Sequence, residues 1–156
     1  MVFTDEKLNE FDTRYKVAPP LRTEFDRLAL IEGVKSGTID MITSDHNPID
    51  SENKKMEFDL AKNGTICLES AFGALQTVLP LEIIIDKLTK GKSIFGIPNQ
   101  PILINETANL TFFNPSENWV FKKESVLSKS KNSAFFGTKM RGKVYGIFNN
   151  GKLVLN

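Results

Sequence analysis

Residues 14–45, RYKVAPPLRTEFDRLALIEGVKSGTIDMITSD, constrain this chain more than any other stretch. Pro19 and Pro20 forbid helix at its start and push Ala18 out of the α region, so residues 14–22 are extended. Thr23 and Asp26 then stand in a capping-box relation, Phe25, Leu28, Ile31 and Val34 recur on one helical face, and Gly37 supplies the stop. That pattern predicts a helix over about 23–36. TIDMITS (38–44) follows as a strand, and a conspicuous polar residue, Asp45, comes directly after it. Extended segment, helix and strand in this order read as a βαβ unit.

The flanking sequence fits around that unit. TDEKLNEF (4–11) reads as a short helix capped by Thr4. Residues 46–64 are polar and irregular, a loop longer than a compact domain usually keeps without a function, which suggests a binding loop or lid. Helices are expected at about 68–78 and, with Pro80 near the first position, about 80–90, ending near Gly91. From about residue 107 the texture changes to short β-prone runs separated by Pro, Asn and Gly. Asn150-Gly151 suits a tight turn that pairs 144–148 with 151–155 as a hairpin. The expected organisation is an α/β segment over 1–95 and a β-rich module over 96–156.

Composition narrows the function. At 156 residues and 40% hydrophobic, the chain can bury one sizeable core or two small ones. Twenty basic residues are interspersed with nineteen acidic ones, so no field steers nucleic acid or an anionic membrane. One cysteine, Cys67, excludes an internal disulfide and a cysteine-rich zinc site and fits a reducing compartment, with the cytoplasm as the default. No run approaches the roughly 18 apolar residues of a membrane span, and MVFTDEKLNEF lacks a signal peptide's basic end and apolar centre.

A barrel strand delivers its chemistry from its C-terminal end, and Asp45 stands where such a residue would; an aspartate also begins turns, and spacing alone leaves both readings open. His46, the only histidine, reads as a hydrogen-bonded structural residue, Cys67 as a small packing residue, and Glu52 with residues 54–57 as a solvated loop face. Lys122, Lys123, Lys129 and Lys131 read as a solvated edge.

The order of segments carries more than any single residue. YKVAPPLRTEFDRLALIEGVKSGTIDMITSDHNP resembles dihydroorotase of the long, bacterial type within the amidohydrolase superfamily. There a Tyr-Lys-Val-Asn-Pro-Pro-Leu-Arg segment precedes a helix and a strand ending in Thr/Ser-Asp-His-Ala-Pro-His. ANLTFFNP and SKSKNSAFFGTKMRGKVYGIFNNGKLV are similar to the returning β-module of the same family. The resemblance runs through nearly the whole chain in unbroken order. It implies an α/β fold, the C-terminal part of a (β/α)8 metal-dependent amidohydrolase barrel followed by a small β-module. The implied activity is the reversible conversion of N-carbamoyl-L-aspartate to L-dihydroorotate in pyrimidine biosynthesis. Asp45 matches the family's aspartate after the eighth strand, which binds metal and shuttles a proton.

Two departures shape what is expected. One histidine cannot build the family's zinc site, and a full barrel takes roughly 250 residues, whereas the resemblance begins before the seventh strand. The expectation is a portion of a longer parent, with zinc in the parent and none in this chain alone, completed by the N-terminal half of the barrel. The family's substrate-contacting asparagine and histidine are also replaced, by Ala18 and Ile49. The alternatives are therefore a catalytically inactive dihydroorotase-like partner of aspartate transcarbamoylase, or a related cyclic amidohydrolase with another ring substrate. Expected partners are a small-molecule substrate and either a second copy or aspartate transcarbamoylase, with no nucleic acid and no membrane.

Overall fold

The structure, a computed structural model, describes residues 1–99 and 101–156. Helix α1 spans Glu24–Ser36, and its ends are set by the sequence as expected. The Thr23 hydroxyl accepts from the Asp26 amide at 3.3 Å, the Asp26 carboxylate accepts from the Thr23 amide at 3.3 Å, and Gly37 closes the helix at φ 85°. Ile31 and Val34 are buried, while Phe25 on the same face is 81% exposed and Leu28 is also exposed. Helices α2 (Ala71–Leu75), α3 (Leu81–Thr89) and α4 (Gly91–Ile94) follow. Helix α2 is shorter than the expected 68–78 because residues 76–79 close as successive turns; Val78 donates to Leu75 at 3.0 Å. The segment at 4–11 is a single 3-10 turn, Asp5–Leu8, and the Thr4 side chain makes no cap bond.

The expected strand at 38–44 is not a strand: Thr38 and Ile39 form a bend and residues 40–44 have no regular structure. Its main chain is held by helix ends instead: the Ile39 amide donates to Gly33 O at 2.9 Å and the Ile42 amide to Lys87 O at 3.0 Å. A strand exists only through a neighbour that accepts its alternating bonds, and among the described residues no chain runs alongside this one.

The sheet lies in the last third. Strands β1 (Leu110–Val120), β2 (Lys139–Asn149) and β3 (Lys152–Leu155) are antiparallel in the order β1-β2-β3. The β1 register slips between Asn114 and Asn118, where Pro115 has no amide to donate. The expected hairpin is present, with Asn149 opposite Lys152 and Asn150 and Gly151 both at positive φ.

Two buried clusters share one short helix. Leu75 of α2 packs with Ile31, Val34, Leu79 and Ile84, while Ala74, its neighbour, packs with Ile66, Phe121, Val126 and Met140. Helix α2 therefore joins the α/β part to the sheet. Among the described residues no helix is long and apolar enough to cross a membrane.

Candidate functional site

The 38–44 run ends at Asp45, which takes a left-handed conformation at φ 43° and leads the chain into the long loop. Non-glycine residues seldom adopt this geometry, and aspartate and asparagine do so most readily. Asp45 opens onto a cleft of about 230 Å³. Val17, Ala18 and Pro19 line it, as do Thr65, Cys67 and Ala134. Asp45 is the one ionised side chain on the lining, and it is exposed there. Burial pushes the Cys67 thiol up to about 11; its bond to Thr65 O works against this, and the Asp45 and Glu69 charges add smaller upward effects. Cys67 is thus a protonated packing group, as its sequence context suggested.

His46 points away from the cleft. Its Nδ1 accepts from the amides of Cys67 at 3.2 Å and Leu68 at 3.1 Å, which assigns the ring proton to Nε2. Nε2 lies 3.5 Å from the Ser128 hydroxyl, and that hydroxyl donates to Glu69 Oε1 at 2.7 Å. The histidine is a structural residue that ties the loop, the entry to α2 and the β module together. Glu69 carries no periodic or motif signal in the sequence, and Ser128 stands first in the SKSKNSAFF run without anything there marking it as Glu69's partner. Burial works to raise the Glu69 carboxyl, but hydrogen bonds from the Ser128 hydroxyl and amide, and from its own amide, together hold it below its ordinary value.

That direction fixes a pH dependence. A carboxyl lowered in the folded state stabilises the fold above its unfolded value near 4.5, and this contribution disappears as pH falls through the lower folded value. Glu69→Gln should therefore cost about 1.5 kcal/mol at neutral pH, the scale of a hydrogen bond to a charged group. The variant should also lose less stability than the parent chain between pH 4.5 and more acid conditions. Urea unfolding at neutral and acid pH checks both; equal acid sensitivity in the two proteins would contradict the assignment.

The two positions where the family has substrate contacts do not converge. Ala18 lines the cleft, but the Ile49 side chain covers the bare face of Gly64, whose added Cβ would lie 2.6 Å from Ile49 Cγ1. The Ile49 carbonyl accepts from the Ser130 hydroxyl at 2.8 Å. Lys54, expected on a solvated loop face, is 5% exposed, because its ammonium finds three carbonyl acceptors inside the loop. Burial, with the Lys16 charge adding and Asp12 opposing, brings that ammonium down to about 8. Glu52 is exposed, as expected.

As a metal site the chain is incomplete. Catalytic zinc generally takes three protein ligands, and with the His46 nitrogens engaged Asp45 is the one donor on the cleft that suits it. No group of three or more His, Cys, Asp and Glu side chains among the described residues could hold a metal ion.

The chain is 39% identical over 158 residues to the dihydroorotase of Caldicellulosiruptor saccharolyticus, a match covering 97% of this chain and 37% of that protein. It is 38% identical over 160 residues to the dihydroorotase of Bacillus subtilis, covering 98% and 37%. Among solved structures, the L-hydantoinase (dihydropyrimidinase) of Arthrobacter aurescens superposes with a TM-score of 0.87 at 24% identity over 99% of this chain and 37% of that one. The D-hydantoinase (dihydropyrimidinase) of a Thermus species gives 0.79 at 23% identity over 92% and 34%. No family model matches the chain.

Proposed function

This chain belongs to the dihydroorotase family of the amidohydrolase superfamily, and from that premise we propose that it supplies the Asp45-bearing wall of a cyclic amidohydrolase site. It spans about 37% of the length of the curated relatives it matches. Its fold is that of the corresponding part of a (β/α)8 amidohydrolase barrel with its small antiparallel sheet.

The observation that carries the reading is the placement of Asp45: among the described residues, a lone exposed carboxylate on a cleft otherwise lined by apolar and neutral side chains, directly after the 38–44 run. Such a carboxylate can take a proton from an attacking water and return it to the ring nitrogen as the cyclic amide opens, giving N-carbamoyl-L-aspartate from L-dihydroorotate. Asp45 is the residue of this chain that would hold zinc in a longer protein; the ion would supply an activated water, and its other ligands would come from outside this chain.

The surface supports a complement. The 38–44 run has no strand neighbour among the described residues, the α1 face leaves Phe25 and Leu28 uncovered, and Leu153, Val154 and Leu155 of the edge strand β3 are exposed. Open edges and apolar faces of this kind are surfaces for another element to cover.

The test is a chimera in which this chain replaces the matching segment of the Bacillus subtilis dihydroorotase. With zinc added, the chimera should hydrolyse dihydroorotate in a spectrophotometric assay, and the chain alone should not. A folded chimera without turnover, or turnover by the chain alone, would overturn the reading.

A further inference from the structure

The long loop after Asp45 is anchored by a group that the proton-transfer reading does not use. Lys54 Nζ donates to the carbonyl oxygens of Thr13 at 2.8 Å, Lys16 at 2.9 Å and Lys62 at 2.8 Å, so its three N–H bonds meet three acceptors. In return the Thr13 hydroxyl donates to Lys54 O at 2.6 Å. No carboxylate among the described residues forms an ion pair with it; Asp12, the nearby acid, is held by Arg14 at 2.6 Å. An ammonium bound only to main chain fixes backbone positions rather than side chains. The stitching continues on both sides: the Gly64 amide donates to Lys16 O at 3.1 Å, and Lys16 Nζ donates to Phe58 O at 2.7 Å and Asp59 O at 2.8 Å.

Residues 13–16 run straight into Val17, Ala18 and Pro19, and residues 62–64 run straight into Thr65 and Cys67. Both of these segments line the Asp45 cleft. We propose that Lys54 is a positioning residue for that cleft, fixing the Val17–Pro19 lining segment relative to the Thr65–Cys67 lining segment through its three carbonyl bonds. Its bearing on turnover rests on the cleft being the substrate site, but the geometry itself can be tested on this chain without any substrate.

The experiment compares the 15N-labelled chain with Lys54→Met, Lys54→Arg and Thr13→Val by amide chemical shift and hydrogen exchange. In Lys54→Met the Val17, Ala18, Thr65 and Cys67 amide signals should move, and their exchange should quicken by about tenfold or more, while α3 and β2 keep their rates, as expected for a local opening. Lys54→Arg, which keeps the charge and the donors, should restore most of the protection. Thr13→Val should affect the same residues to a smaller degree, and it reads the proposal if Lys54→Met does not fold. Exchange that quickens evenly across α3 and β2, or cleft amides that stay in place, would overturn the proposal. Failure of the cleft as a substrate site shows separately, as an inactive chimera with Lys54 in place.

Discussion

Asp45→Asn in the chimera is expected to lower turnover of dihydroorotate by about 10²- to 10⁴-fold, the range for loss of a positioned general acid or base, while the melting temperature stays unchanged. The two halves of that result come from different properties of one residue. The left-handed backbone at φ 43° suits asparagine as well as aspartate, so the turn survives. The carboxylate is exposed in the cleft, so removing its charge leaves no buried partner stranded. The proton acceptor is lost together with this chain's zinc ligand, so zinc content is measured alongside the rates and the melts are taken without zinc. Steady-state rates with parallel thermal melts decide between the two roles that aspartate can have after a strand. A fall of less than about tenfold, outside the general-base range, would make Asp45 a turn former alone.

Phe121→Ala is expected to destabilise the chain by about 3–5 kcal/mol, the usual cost of removing a buried aromatic ring. Phe121 is 1% exposed; it stacks on Phe136 at 5.4 Å between ring centroids and meets Trp119 edge-on at 5.8 Å. Its cluster includes Ala74, and α2 contributes Leu75 to the other cluster, so the cavity opens beside the one helix that both cores share. The urea midpoint should fall with the slope unchanged if the two parts unfold together. A biphasic transition, with the α1 and α3 signals outlasting those of the sheet, would show that the clusters are independent.

The elements that could be read from the sequence are those whose stability is local. Helix α1 carries its own caps and Asn150-Gly151 its own turn geometry, so both lie where the residues put them. The 38–44 run was legible as apolar but not as unpaired, because pairing belongs to a neighbour and not to the run itself. At the site, Asp45 and Ala18 were legible from the family's segment order, and the structure brings them to one cleft. Ile49 was legible from the same order, but its packing was not, since its neighbour Gly64 lies fifteen residues along the chain and is brought against it by the fold of the loop. Lys54 was read as solvated for the general reason that lysines usually are. Its three acceptors are backbone carbonyls, which every residue owns and which no side-chain pattern can reveal.

The positive φ at Asp45 also bears on how a lineage carrying this sequence can change. Aspartate codons reach asparagine or glycine by a single base change, and both residues sit easily in the left-handed region. Valine is equally close in the genetic code, but its branched side chain is strained there. Mutational routes that erase the carboxylate therefore include two that leave the backbone undisturbed. Heredity can separate the chemistry of this position from its shape, and descendants that had lost the reaction would still inherit the fold.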